Sequence, residues 1–185
     1  MVPTLPSSQG EAPEAPPDLH PVPSAGSFGH PELCQRPCLH FLVGRNCLAG
    51  DACNYCHLPH SPGPKLDKRQ RRIIEEMPKA HFLPLALELL ADKARAMELQ
   101  GTEALMGILE NEVQSEDAPA AAAPAGVSGR PPLGLMRCLR AMGFRNLTNM
   151  AARKCAEGTK IRIRETVQAL RANVSQGQAG ARVTS

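Results

Sequence analysis

Between Cys38 and His57 the chain reads CLHFLVGRNCLAGDACNYCH, which spaces three cysteines and one histidine as C-x8-C-x5-C-x3-H. Three thiolates and one imidazole complete a tetrahedral shell for zinc, with soft sulfur donors and no position left for water. Cys38, Cys47, Cys53 and His57 are therefore expected to hold one structural Zn2+ ion. Gly44 and Gly50 permit the tight turns that close such a segment. It has almost no apolar core, so the metal must supply its folding free energy, about 10–16 kcal/mol in zinc-finger peptides. Cys34, Cys56, His40 and His60 are spare donors. A rival shell pairs Cys53 with Cys56 and puts His60 in place of His57; otherwise Cys56 is a non-ligand and Cys34 a buried or free thiol. Cys138 and Cys155 read as small apolar residues on helices.

This spacing is similar to the CCCH fingers of tristetraprolin-like and muscleblind-like RNA-binding proteins, over residues 31–57. Gly50 matches the glycine of their C-x-x-G step, and Phe41 and Tyr55 match their two aromatic positions. The resemblance implies a small metal-stabilised finger with little regular secondary structure. It also implies that bases of single-stranded RNA stack on Phe41 and Tyr55, unless those rings only cover the zinc cluster. The chain departs from the pattern in having one finger, a lead-in HPELCQRP, Gly44 one residue early, and only Arg36 and Arg45 as cations within the finger. His30-Pro31-Glu32 followed by Pro37-Cys38 superficially resembles the zinc deaminase pattern H-x-E…P-C-x-x-C. Position 41 is Phe rather than Cys, and a four-ligand shell has no place for an activated water. No catalytic residue is assigned, and the expected protein is not an enzyme.

The rest of the 185 residues must position this finger. Aromatics make up 3% of the chain, against eighteen prolines and fifteen glycines, so small islands joined by loose segments are expected rather than one large core. A Pro-rich N-terminus, 1–29, is expected to be disordered, ahead of a finger at 31–60. Residues 65–114 read as a basic helix, stopped by Pro78, and a helical hairpin. In the hairpin, Leu83, Leu87, Leu90, Ala94 and Met97 share one face, and Leu105, Leu109 and Val113 another. Gly101 would stop the first helix and Thr102 would cap the second. An Ala/Pro/Gly linker at 115–132 leads to a basic helical module, 133–172, with Thr148 as a further cap. The tail 173–185 reads as disordered. The fold class is thus a zinc finger plus short α-helices, with a large disordered fraction.

Charge is unevenly spread: residues 118–185 hold 11 basic and 2 acidic side chains, although the whole chain is only +3. Lys68, Arg69, Arg71 and Arg72 follow the finger directly and, with Arg45, are expected to contact phosphates. The first expectation is a non-enzymatic RNA-binding protein of post-transcriptional regulation. The alternative is an adaptor whose finger is a rigid knob and whose helices at 83–113 bind a protein partner. No run approaches the roughly 18 apolar residues of a membrane span. The N-terminus lacks a secretory pattern, and clustered Cys with His suits a reducing nuclear or cytoplasmic setting.

Overall fold

A computed structural model describes residues 22–115 and 131–181, with backbone alone from 175 onward. Seven α-helices follow one another among the described residues: α1 (Leu39–Leu42), α2 (Lys68–Glu76), α3 (Lys79–Ala96), α4 (Glu103–Gln114), α5 (Leu133–Ala141), α6 (Phe144–Lys154) and α7 (Glu157–Ala181). There is no strand among them, only an isolated parallel bridge between Pro37 and Cys56.

Local chemistry explains most of the helix ends. Asp67 opens α2 with a reciprocal box: its carboxylate accepts from Gln70 N–H at 2.7 Å, and Gln70 Oε1 accepts from Asp67 N–H at 3.1 Å. Pro78 forces Met77 into extended backbone, which ends α2 as expected and starts α3. α3 runs through Pro84, which is exposed and lacks the N–H that would bond Ala80. It ends before Gly101, at a turn where Glu98 takes the left-handed conformation (φ 51°) and Leu99 N–H reaches Ala94 C=O at 2.9 Å. Thr102 does not cap α4 with its side chain; its hydroxyl instead donates back to Leu99 C=O. Thr148 does not start a helix either. It is buried in the middle of α6 and donates to Phe144 C=O at 3.0 Å, because α6 begins four residues earlier than the capping pattern suggests.

The helices do not form separate islands. α3 packs on α4 and α6, and α7 packs on α4 and α6. Phe82, Leu83, Leu90, Leu105, Leu109, Leu135, Leu139, Phe144 and Leu147 are all buried in one continuous core that also takes in Ile163 and Leu170 of α7. Of the faces expected to meet a partner, Leu83, Leu90, Ala94, Leu105 and Leu109 are buried in the chain's own interior and Leu87 and Val113 partly so, while Met97 stays exposed. The finger segment joins the same core through Leu33, which is 1% exposed.

Two boundaries shift. Ser24, Gly26, Ser27 and Gly29, expected in a disordered N-terminus, are buried against the finger. α7 continues through 173–181, where a disordered tail was expected. The expectation of short helices also fails for α3 and α7, of 18 and 25 residues. The remainder of the expected disordered N-terminus (1–21), linker (116–130) and tail (182–185) lies outside the described residues. No helix among the described residues is long and apolar enough to cross a membrane.

Candidate metal centre

The finger closes as a knot of short turns. Residues 24–27 fold back on 53–57: Gly26 N–H donates to Cys53 C=O at 2.8 Å, Ser24 Oγ to Tyr55 C=O at 2.6 Å, and His57 N–H to Ser27 Oγ at 3.0 Å. The Pro37–Cys56 bridge pins the other side, with Cys38 N–H on Cys56 C=O at 2.8 Å and Cys56 N–H on Arg36 C=O at 2.9 Å. Gly44 and Gly50 both adopt positive φ, 68° and 52°, at the turns they were expected to make.

Cys38, Cys47, Cys53 and His57 converge, with their ligand atoms within 4.8 Å of one another. Cys38 sits at the N-cap of α1. Burial pushes its thiol up, but the N–H groups of Phe41 and His40 and the neighbouring thiols outweigh this and hold it below the ordinary thiol range. Tyr55 N–H points at Cys53 Sγ at 3.4 Å, an outer hydrogen bond that suits a metal-bound sulfur. His57 supplies the test of fit. Its Nε2 is buried and has no hydrogen-bond partner among the described residues, a cost that a lone pair turned on a metal would remove. Phe41 stacks on the His57 ring, with centroids 4.2 Å apart and planes 19° from parallel, so one face of the Phe41 ring is taken up within the chain.

A second quartet lies beside the first. His30, Cys34, Cys56 and His60 also bring four ligand atoms within 4.8 Å of one another. Cys34 and Cys56 are 4% and 1% exposed. Burial, and next the Cys56 thiol beside it, pushes Cys34 up to about 12, while Arg145 and Arg171 pull it the other way. The rival shell that joined Cys53 to Cys56 and His60 does not form, because those residues are divided between the two quartets. Cys155 is buried, with its thiol on Ala151 C=O, and Cys138 is half-buried in the helical core, both as small apolar residues. Among the described residues there are therefore two Cys/His clusters that could hold a metal ion.

Comparison with known proteins returns no matching family model, no curated relative and no solved structure. The functional reading rests on geometry.

An open groove of about 1220 Å³ runs between the finger and α6–α7. Six cations line it: Arg36, Arg145, Arg153, Lys160, Arg164 and Arg171. Only two carboxylates face them; Glu32 is engaged by Phe144 N–H and Glu157 by Lys160. Side-chain amides of Gln35, Asn54, Asn146, Asn149 and Gln168 fill the intervals, and Tyr55, 55% exposed, stands on the finger wall. Of the aromatic and basic residues expected to bind RNA, only Tyr55 lines this groove. Phe41, Arg45, Lys68, Arg69, Arg71 and Arg72 do not. The last four are exposed along α2, and Arg72 pairs with Glu76 at 2.6 Å.

Part of the basic C-terminal segment is structural. Arg145 donates to the carbonyls of Leu33 and Cys34 and to Gln35 Oε1, and Arg171 donates to those of Ala25, Gly26 and Phe28. Lys154 donates to the carbonyls of Glu75 and Met77 at the end of α2. Counting charge could not reveal these roles. The groove itself was missed because its two walls are more than 80 residues apart in sequence.

Proposed function

We propose that this is a non-enzymatic, zinc-stabilised protein that binds single-stranded RNA in the groove between its finger and α6–α7. The observation that carries the reading is the lining of that groove, where six cations, five amides and one exposed tyrosine stand against two engaged carboxylates. Cations track a phosphate backbone, amides hydrogen-bond base edges, and a free ring gives an unstacked base a surface. The groove is open, which suits a strand better than an enclosed small molecule. Zinc at Cys38, Cys47, Cys53 and His57 would hold Tyr55, between the third and fourth ligands, in place.

Fluorescence anisotropy with a mixed-sequence single-stranded RNA tests the reading. Affinity is expected to fall steeply between about 50 and 200 mM salt, with each neutralised groove cation lowering the slope by about one. Replacing Arg36, Arg153 and Arg164 with Gln should flatten that slope, and Tyr55→Ala should cost about 1–3 kcal/mol of affinity. RNA binding that is untouched by both changes would place the site elsewhere.

One observation favours a protein partner instead. Leu39 and Leu42 of α1, Val43 after it and Leu48 just past Cys47 are exposed, Leu48 fully. That patch suits an apolar docking surface, whose complex would be insensitive to the same salt range.

A further inference from the structure

We propose that His30, Cys34, Cys56 and His60 bind a second structural zinc ion, making the finger a two-metal module. A tetrahedral zinc site with Zn–S near 2.3 Å and Zn–N near 2.05 Å requires sulfur-to-nitrogen edges of about 3.5–3.6 Å. Cys34 Sγ lies 3.6 Å from His30 Nδ1 and 3.6 Å from His60 Nε2, and Cys56 Sγ lies 3.5 Å from His30 Nδ1. Thiol hydrogen bonds account for this arrangement poorly. Cys34 S–H has Pro31 C=O at 3.4 Å and Cys56 S–H has His30 Nδ1, but these bonds leave the Cys34 approaches to both imidazoles unexplained, whereas a central cation accounts for all three sulfur-to-nitrogen distances at once.

The backbone sorts the ligands between the two sites. Residues 53–60, CNYCHLPH, carry two interleaved C-x3-H pairs, Cys53 with His57 and Cys56 with His60. At the Pro37–Cys56 bridge the chain is extended, so neighbouring side chains point to opposite sides. Cys56 therefore faces one quartet and His57 the other. On the opposite strand of the knot, Leu33 N–H bonds Gly29 C=O at 2.7 Å, a turn that brings His30 and Cys34 to the same side.

Two thiolates and two neutral imidazoles around Zn2+ make a closed, uncharged shell without a water position, so the ion is structural. Its work follows from what lies between the first two ligands. Residues Pro31–Glu32–Leu33 are held between His30 and Cys34. Glu32 accepts the N–H groups of Phe144 with its carboxylate and Arg145 with its carbonyl, and Leu33 enters the helical core. The second zinc thus fixes the segment that joins the finger to α6, and with it one wall of the groove.

Native mass spectrometry of the full-length protein should find two zinc ions per chain. Cys34→Ser with His60→Ala should retain one, Cys47→Ala should retain one, and the combined variant none. His60→Cys keeps four donors and should retain two. With cobalt in place of zinc, it should raise sulfur-to-metal charge-transfer absorbance in the ratio of six thiolates to the native five. One zinc in the native protein that is lost in Cys47→Ala, two in the Cys34→Ser/His60→Ala variant, or unchanged cobalt absorbance in His60→Cys with two metals bound would each overturn the second site. Loss of zinc from the Cys38 quartet alone would show instead as a single ion that survives Cys47→Ala.

Discussion

Gly26 shows how little freedom the segment carrying the Cys/His clusters has. A Cβ at this position would lie 2.2 Å from the carbonyl carbon of Tyr55, 2.5 Å from its oxygen and 2.6 Å from the carbonyl carbon of Asn54. All three are backbone atoms of the segment that carries Cys53, Cys56 and His57, and Gly26 itself is tied to Cys53 C=O. Nothing there can rotate away. Gly26→Ala should therefore cost about 1–3 kcal/mol, the range for overpacking, and release zinc faster to a chelator such as EDTA. Gly44→Ala is the control. Its φ is positive, but its Cβ would meet open space, so it should show only the left-handed strain of about 1–2 kcal/mol, in the loop between Cys38 and Cys47, and slower zinc loss than Gly26→Ala. Equal release from the two variants would mean that the Gly26 contact yields. At this scale the sequence showed Cys38, Cys47, Cys53 and His57 as a set, because a tetrahedral site constrains spacing. It hid the other four because assigning Cys56 and His57 to different sites needs the backbone direction at the Pro37 bridge, which spacing does not encode.

Among the elements, Glu112 ties three helices together. Its carboxylate is 6% exposed on α4 and accepts from Lys79 Nζ of α3 at 2.7 Å, from Thr159 Oγ1 of α7 at 2.6 Å and from Ala156 N–H before α7 at 3.0 Å. Burial alone would push this carboxyl up. The hydrogen bonds from Lys79, Thr159 and Ala156 and the Lys79 charge together outweigh it and hold the group below 4.5. A depressed carboxyl stabilises the fold above its unfolded value and loses that contribution as pH falls through the lower, folded one. Urea unfolding should thus find Glu112→Gln less stable than the native protein by about 2 kcal/mol at pH 7. The gap should shrink as pH drops below about 4.5. Taking the difference between the two proteins cancels acid effects on the zinc ligands. An equal gap at pH 7 and pH 3.5 would show that the charge contributes nothing. The helices themselves were largely legible: the α3 and α4 leucine stripes and the Pro78 break follow from periodicity and steric rules. Their ends were less so, since Glu32 caps α6 from more than 100 residues away while Thr148, the local capping candidate, is buried inside the helix.

The described residues form a helical body with a Cys/His-rich module docked on it, and the two parts are held by different forces. The body has its own apolar core, to which the module contributes Leu33 among the fully buried residues. The module has almost no core and depends on its Cys/His quartets. Around Leu33, the joint is polar, made by Glu32 on α6 and by Arg145 and Arg171 on the module's carbonyls. Separate islands were expected because composition reports the scarcity of aromatics but not that distant leucine stripes fit one another. Removing the metal should consequently separate the halves in function more than in fold. After EDTA treatment, far-UV circular dichroism should keep the signal of α2–α7 and a cooperative thermal transition, because that core needs no ligand. RNA affinity should fall at least as far as in Tyr55→Ala, because one wall of the groove loses its order while Arg153, Lys160 and Arg164 stay in place on the other. The residual binding should keep a salt dependence, as cations on a rigid helix attract phosphate without a finger opposite them. Collapse of the helical signal together with the metal would mean that the body cannot stand alone, and that Leu33 and the polar joint contribute far more to stability than their few contacts suggest.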